Sequence, residues 1–464
     1  MDFPRVYVCN LNQLQSSGIR ATGSDDPEDF IVMNMVWFGE EMSIEDETRF
    51  NDLPLKVYEN IGTTCSEDVS IISIQKCENL IIKTKWSNMP IKLFLNATTA
   101  LTDIGYCCQL TPDWPIHEFN PDKDKIQTIS NGIQNGLMLT LDLEKFDNGM
   151  ISDSNGAKIG LSHPLDKPVM RNIGFDIKSG ELTEVALVPT VIETTSDAIS
   201  KFEPEKRGCY NDEEFELRYM HGLRYSMDNC LYDAFLERVV QDCNCAYNSD
   251  PTVLWYNPSV QDCFLSQSNN TCSEKLVKLI GSNGMESAVD ARSGEMKKCL
   301  SRCETQQFTI IPTTLEYPNG KFQAFKHHTE TCLVMEKISK ICNDQFKKAV
   351  FEEYYEEDIT CKELIEFHAK NNEPCHGISY FRPKITNNND TKVLKFYHKY
   401  SKENMAKVAI YFRDPYYTKI VRDVKMTFTT FISNAGGLVG LCLGLSLVSL
   451  FELLYHFLKF LFDF

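Results

Sequence analysis

The chain of 464 residues has no excess of basic charge: 47 lysines and arginines stand against 65 aspartates and glutamates, a net charge of −18. A nucleic-acid binder carries a basic face, so the charge argues against that class, whereas a negative field enriches cations near the surface. There is no low-complexity tract and no repeat of fixed period, which removes linker-dominated chains and solenoids. No phosphate-binding loop, zinc-protease helix or nucleophile elbow occurs, so no motif speaks for catalysis, a cofactor or a bound metal. The N-terminus, Met1-Asp2-Phe3-Pro4-Arg5-Val6-Tyr7-Val8-Cys9, has neither a positive n-region nor an apolar h-region and holds no signal peptide. Long uncharged runs are scarce as well, and only one is long enough to cross a membrane.

What is present is a foldable, cysteine-rich chain. Apolar residues make up 42% and aromatics 11%, enough for a large core, and the length suggests roughly three units of about 150 residues. Seventeen of the 18 cysteines lie in the polar part, from Cys9 to Cys375, and Cys442 sits in the apolar run. Asn96, Asn269 and Asn389 stand in N-x-Ser/Thr sequons. Dense cysteines and sequons together place this part of the chain in an oxidising compartment. The competing reading is a cytosolic metal protein using Cys243-x-Cys245 or Cys299-x3-Cys303. It is disfavoured because the other thiols have no zinc partners at finger-like spacing.

The 25 residues from Thr427 to Phe451 carry no formal charge. As one helix they would run about 37 Å, sufficient for a hydrocarbon core of roughly 30 Å with some tilt. Arg422, Asp423 and Lys425 precede the run; Glu452, His456 and Lys459 follow it. A lone C-terminal anchor would leave the preceding residues in the cytosol, against the cysteines and sequons. An earlier membrane segment upstream of this sequence resolves that conflict. The expected division is a cysteine-rich extracellular domain over 1–425, a membrane helix over 426–456 and a short cytosolic end over 457–464.

Within the extracellular part, residues 4–14 read as a strand running into a turn. Leu80–Thr84, Ile91–Leu95, Leu137–Leu143 and Ile159–Leu161 read as further strands. Asn148-Gly149, Asn155-Gly156 and Ser179-Gly180 punctuate them. Met220–Cys243 and Thr331–Phe351 show helical spacing, and Leu394–Phe412 reads as extended. The expected class is α+β on a membrane stalk.

The membrane run contains Ser433-Asn434-Ala435-Gly436-Gly437-Leu438-Val439-Gly440-Leu441-Cys442-Leu443-Gly444-Leu445-Ser446, followed by Glu452. Gly436, Gly440 and Gly444 at four-residue spacing fit ordinary close helix packing. They equally fit a helix that opens to present carbonyl and hydroxyl oxygens to a cation, with an acidic residue at membrane depth. Spacing alone leaves both open. The pattern Ser-Asn-x-Gly-Gly-x-x-Gly-Leu-x-x-Gly-x-Ser-x-x-Ser-x-x-Glu resembles the second membrane helix of the degenerin/epithelial sodium channel family nearly position by position. The resemblance implies that Gly444-Leu445-Ser446 is the selectivity constriction. It makes Ser433 the position where bulky substitution holds the pore open, Gly440 a contributor to amiloride block, and Gly436, Gly437 and Glu452 parts of the pore helix.

Further matches are spread over most of the chain. Phe3-Pro4…Val8-Cys9-Asn10-Leu11-Asn12 resembles the strand after the family's first membrane helix, and Gly105-Tyr106-Cys107 its Gly-x-Cys. Arg207-Gly208-Cys209 is similar to the Arg-x-Cys that opens the cysteine-rich region. Tyr225-Ser226…Cys230…Cys243-Asn244-Cys245 and Cys299-Leu300-Ser301-Arg302-Cys303 resemble the thumb disulfide column, and Val408–Phe412 the last palm strand. By resemblance the fold is a palm sheet, a helical thumb and loops. The implied disulfides are Cys9–Cys107, Cys65–Cys77, Cys209–Cys303, Cys230–Cys299, Cys243–Cys272 and Cys245–Cys263. Ala234 and Lys297 stand where many members have a further bonded pair, so that bridge is lost from both ends at once. Cys332, Cys342, Cys361 and Cys375 are expected to pair among themselves, and Cys108 is left over. The acidic run Glu352, Glu353, Glu356, Glu357 and Asp358 reads as a solvated helix face and His163 as a turn residue. Glu205, Lys206, Arg207 and Gly208 occupy the stretch where acid-sensing members carry an aromatic at the thumb base, which speaks against acid gating.

The function implied is a plasma-membrane subunit of a sodium-selective, amiloride-sensitive-type channel, passing Na+ passively as a homo- or heterotrimer in the lipid bilayer. Two other readings compete with it: a single-span disulfide-rich receptor or adhesion protein, and a non-conducting truncated modulator of channel subunits.

Overall fold

A computed structural model describes residues 3–12, 15–21, 75–86, 89–90, 95–102, 104–112, 130–148, 155–163, 166–170, 173–220, 223–246, 261–262, 272, 299–318, 322, 329–371, 383–444 and 446–462. In chain order these form β1 (Arg5–Asn10), α1 (Ser16–Ala21), α2 (Cys77–Leu80), β2 (Ile81–Trp86), β3 (Met89–Pro90), β4 (Leu95–Thr102), β5 (Gly105–Pro112) and β6 (Leu137–Asp142). There follow β7 (Ala157–Ser162), β8 (Phe175–Ile177), β9 (Glu181–Thr194), α3 (Ser196–Lys201), α4 (Pro204–Arg207), β10 (Cys209–Tyr210), α5 (Met227–Cys243), β11 (Cys245–Ala246) and β12 (Gln261–Asp262). The last part holds β13 (Ser301–Arg302), β14 (Glu304–Glu316), α6 (Thr329–Asn343), α7 (Gln345–Tyr354), α8 (Cys361–Lys370), α9 (Asn388–Asn404), β15 (Met405–Phe412), β16 (Thr418–Arg422), α10 (Phe428–Leu443) and α11 (Leu447–Phe462).

Two sheets share one core. The larger runs β14-β9-β15-β6-β2-β3 with β16 also on β9, and the smaller runs β4-β5-β1-β7-β8. Val6 and Val8 of β1, Leu110 of β5 and Ile159 of β7 meet Leu139 and Leu141 of β6, Leu187 of β9 and Val408 and Ile410 of β15. Strand β15 lies between β6 and β9, antiparallel to one and parallel to the other. A central strand covered on both faces is apolar nearly throughout, which accounts for the run Val408-Ala409-Ile410. The α+β, disulfide-rich class is what the structure has.

A helical unit, α6 to α9, packs around Phe351, Tyr355, Phe367, Tyr397 and Tyr400 and is stapled by Cys342–Cys361. Two expectations fail here. The run Leu394–Phe412 is not extended throughout: α9 continues to Asn404 before β15 begins. Its buried residues Val393, Leu394, Phe396, Tyr397, Tyr400, Ser401 and Asn404 recur at helical spacing, and Asn387 and Asp390 form a capping box at its start. Aromatic content mimicked a strand. The helix expected over Thr331–Phe351 is two helices, because the Asp344 side chain accepts from Phe346 and Lys347 backbone N–H groups and starts α7 afresh. Likewise α5 begins at Met227 rather than Met220, where Ser226 caps it.

The helical unit meets the sheet at a buried charged junction. Glu144, wholly buried and in the left-handed region at φ 44°, lies 2.8 Å from the Lys337 ammonium and 2.7 Å from that of Lys347. Burial alone would raise the Glu144 carboxyl; the two lysines outweigh it and hold it at about 2. Nearby Asp142 accepts a 2.9 Å hydrogen bond from the Tyr400 hydroxyl, and Asp147 accepts from the Ser17 backbone N–H at 2.7 Å. Burial pushes both aspartates up to about 6. Removing one partner from such a buried set leaves an uncompensated charge and costs about 3–5 kcal/mol.

Disulfides tie the remaining parts. Cys9 is bonded to Cys107, Cys209 to Cys303, Cys230 to Cys299 and Cys243 to Cys272. Cys77 is bonded to Cys108, not to Cys65 as expected. Adjacent residues on a strand point to opposite faces, so on β5 Cys107 turns to Cys9 and Cys108 to α2. Cys245 and Cys332 are also disulfide-bonded; Cys65, Cys263 and Cys375 lie outside the described residues, as do Ile91–Phe94. The free cysteine among the described residues is Cys442. Of the sequons, Asn96 lies on β4 and Asn389 is exposed in the first turn of α9, while Asn269 is outside the described residues.

Candidate functional site

The apolar run does not form the single helix expected over Thr427–Phe451. It forms α10 and α11, each of 16 residues, separated at Gly444-Leu445-Ser446. No helix among the described residues is long and apolar enough to cross a membrane by itself. The break has a local cause on both sides. Gly444 closes α10 in the left-handed region at φ 64°, a conformation that costs an L-residue roughly 1–2 kcal/mol and glycine nothing. Ser446 then starts α11: its hydroxyl accepts from the Ser449 backbone N–H at 3.2 Å, and its carbonyl from that of Leu450 at 3.2 Å. The result is the C-terminal end of α10 followed closely by the N-terminal end of α11, and the last carbonyls of an α-helix have no intrahelical partner.

The other residues singled out from the sequence lie on these two helices. Ser433 is exposed in the second turn of α10; Gly436 and Gly437 are exposed a turn further on, and Gly440 is half-buried. A Cβ added at Gly436, Gly437 or Gly444 would meet nothing within 4 Å. Glu452 is exposed on α11. Leu445 lies outside the described residues. Around these positions large apolar side chains stand open: Phe428 is 78% exposed and Leu441 86%. Helix α11 runs on to Phe462, through the residues expected to form a separate cytosolic end.

One connection between this segment and the body of the chain was not anticipated. Strand β16, five residues before α10, pairs in parallel with the last residues of β9. There the Thr195 hydroxyl donates to the Asp423 carboxylate at 2.7 Å, and the Thr195 backbone N–H donates to the Arg422 carbonyl at 3.0 Å. The Thr195 hydrogen bond holds Asp423 below the usual carboxylate range. Lys419 pairs with Glu193 alongside. The same end of β9 touches the cysteine-rich unit, since the Thr194 backbone N–H donates to the Cys303 carbonyl at 2.9 Å. Thr427 caps α10 by accepting from the Thr430 backbone N–H at 3.1 Å. Thus Thr194, the last residue of β9, touches the bridged Cys303, and it and the following Thr195 touch the strand that leads into the apolar helices. Sequence pattern gave no warning, because Thr195 and Asp423 are 228 positions apart.

A family model described as amiloride-sensitive sodium channel matches residues 1–456. Pickpocket protein 28 of Drosophila melanogaster is 20% identical over 98% of this chain and 66% of its own length. An epithelial sodium channel gamma subunit of Neoceratodus forsteri is 30% identical over 30% of this chain and 21% of its own. The gamma subunit of Pan troglodytes is 20% identical over 69% of this chain and 54% of its own. The chain therefore spans two thirds or less of the length of these relatives.

Proposed function

Since the chain belongs to the amiloride-sensitive sodium channel family, we propose that it is a subunit of a plasma-membrane cation channel selective for sodium, with α10 and α11 of each subunit lining the pore. The observation that carries this is the capped interruption at Gly444-Leu445-Ser446 between two exposed apolar helices. Three subunits, identical or related, surround the path. Carbonyl oxygens freed at the break and the Ser446 hydroxyl replace part of the hydration shell of Na+. Glu452 supplies negative charge beyond it. Helices α10 and α11 cross the bilayer in tandem, each about 24 Å long, and the cysteine-rich body lies outside the cell.

Gating follows from the connection at β9. Movement of the disulfide-tied unit or of the helical unit α6–α9 reaches β9, and β16 passes it to α10 through Thr195 and Asp423. Sodium then moves down its gradient with no catalytic step.

The test is electrical. Cells expressing the chain, alone and with related subunits, carry a sodium current that amiloride blocks, and Ser433→Phe makes it constitutive. A chain that reaches the surface and conducts under none of these conditions is a receptor or a modulator instead.

A further inference from the structure

The direction of the strands fixes which end of the body lies nearest the membrane. Strand β16 runs from Thr418 to Arg422 toward α10 and is parallel to β9, so β9 descends toward the apolar helices and Thr194 is its lowest residue. Thr195 then meets the chain just ahead of α10: its hydroxyl donates to Asp423 at 2.7 Å and its backbone N–H to the Arg422 carbonyl at 3.0 Å. The hydroxyl holds Asp423 below the usual carboxylate range, and the Lys201 ammonium at the far end of α3 acts in the same sense. Helices α3 and α4 are therefore an excursion at the level of Asp423, after which the chain returns through β10 to the cysteine-rich unit. Arg422, Asp423 and Lys425 do not enter hydrocarbon, whereas Met426 and Phe428 stand 46% and 78% exposed. From Asp423 to Thr427, the cap of α10, the chain spans at most about 14 Å. The headgroup region, roughly 5–8 Å deep on each side of a bilayer, falls within that span.

At the turn between α3 and α4 stands Phe202, 40% exposed. A single exposed ring is ordinary on a protein surface; its mounting here is not. The Arg207 side chain, 4% exposed, pairs with Glu214. It donates to the Phe202 carbonyl at 2.6 Å, the Ile199 carbonyl at 3.1 Å and the Cys209 carbonyl at 3.0 Å. One buried guanidinium thus closes the turn and ties it to the bridged Cys209, and the ring is presented outward on a fixed support. We propose that the Phe202 turn is a foot on the outer leaflet, its ring seated among the lipid headgroups beside the entry of α10. Glu203 and Glu205 are exposed on the same turn, and Lys201 is taken by Asp197 at 2.6 Å. The turn therefore has no basic excess and fits zwitterionic phospholipid, not an anionic surface. Seated this way, the foot sets the height of the Cys209–Cys303 bridge above the bilayer. The assignment rests on the reading of α10 as a membrane helix.

The experiment is fluorescence quenching in the full chain with Cys442→Ala, reconstituted in phosphatidylcholine vesicles. One cysteine is added at a time: Glu203→Cys beside the intact ring, Phe428→Cys on α10, or Tyr354→Cys on α7, which is 56% exposed and serves as the control on the body. Each carries an environment-sensitive fluorophore, and quenching by phosphatidylcholine with a nitroxide on its headgroup is read without any current. The expected result is strong quenching at 203 and at 428, about tenfold that at 354, with the signal at 203 falling to the control level when Phe202→Ser is added. Quenching at 428 but not at 203 overturns the foot alone and leaves the ring against water or another protein surface. A signal at 203 that Phe202→Ser does not lower also overturns it, since the ring is then not what holds the turn to lipid. No quenching at 428 overturns the membrane reading of α10, and the foot with it. Replacing part of the phosphatidylcholine by phosphatidylserine is expected to leave quenching at 203 unchanged. A rise with anionic lipid would make Lys201 and Lys206 the contact, against the proposal.

Discussion

Around the Glu144 junction the chain buries Phe351 and Tyr400 completely, whereas past Thr427 it leaves Phe428, Leu441 and Phe462 78%, 86% and 82% exposed. The residue types are the same and the treatment is opposite. Apolar area in water costs roughly 25 cal/mol per Å2, so a folded chain that hides rings in one region and displays them in another is built for two solvents. Charge follows the same division. At the junction Glu144, Lys337 and Lys347 are taken out of water and matched to one another. On α11, Glu452, His456 and Lys459 are set on one line of an apolar helix. The first region is held together by its contents, and the second displays its apolar side chains on the surface.

The largest effect is expected at Glu144. Glu144→Ala strands two buried lysines and is expected to cost about 3–5 kcal/mol, seen as a collapse in thermal stability of the solubilised chain. Adding Lys337→Met and Lys347→Met to it recovers most of the loss; no recovery would mean that the charges are not what joins helix unit and sheet. Next comes the staple of the helical unit. Cys342→Ser with Cys361→Ser removes a bridge over a sequence separation of 19 and is expected to cost about 3 kcal/mol, read as a lower urea midpoint. Gly444→Ala acts on the other region. It meets no neighbour but must adopt a left-handed backbone at a cost of roughly 1–2 kcal/mol. It should therefore favour a continuous helix and change ion selectivity while leaving the thermal midpoint of the body within a degree or two.

The smallest effect is that of pH. Asp147 titrates at about 6 in the folded chain against an ordinary 3.8, chiefly because it is buried. The folded state therefore binds the proton more tightly, and stability rises as pH falls from 7 toward 5, by about 1 kcal/mol. Asp142 shifts in the same direction. Glu144, held at about 2, does the reverse: its contribution is present above the ordinary carboxylate range and is lost as pH falls from about 4.5 toward 2. Thermal midpoints across pH 3–8 should thus show a maximum near pH 4. Asp147→Asn should flatten the limb between pH 5 and 7; an unchanged limb would remove Asp147 from the account.

Much of the sheet was legible because buried strands write themselves as apolar runs, as at Leu137–Leu143 and Val408–Phe412. Helix α9 was not, since Val393, Phe396, Tyr397 and Tyr400 are strand-favouring types whose helical spacing had to be weighed against their identity. The partner of Cys77 was misassigned although a signal existed: Cys107 and Cys108 are adjacent on a strand and so require partners on both faces. In the apolar run, the motif pointed to Gly444 and Ser446, yet their roles as helix stop and helix start were missed because charge-free length was read as continuity. The Glu144 junction was beyond reach, since Lys337 lies 193 positions away and nothing local marks the pair. Thr195 and Asp423 escaped for the same reason.

The most direct measurement is the reversal potential of the current with sodium outside and potassium inside. It should lie well positive of zero for the chain carrying Ser433→Phe and move toward zero when Gly444→Ala or Ser446→Ala is added, placing selection at the helix break. A potential near zero from the start, or one that neither substitution moves, would contradict the claim that the interruption between α10 and α11 is where sodium is chosen.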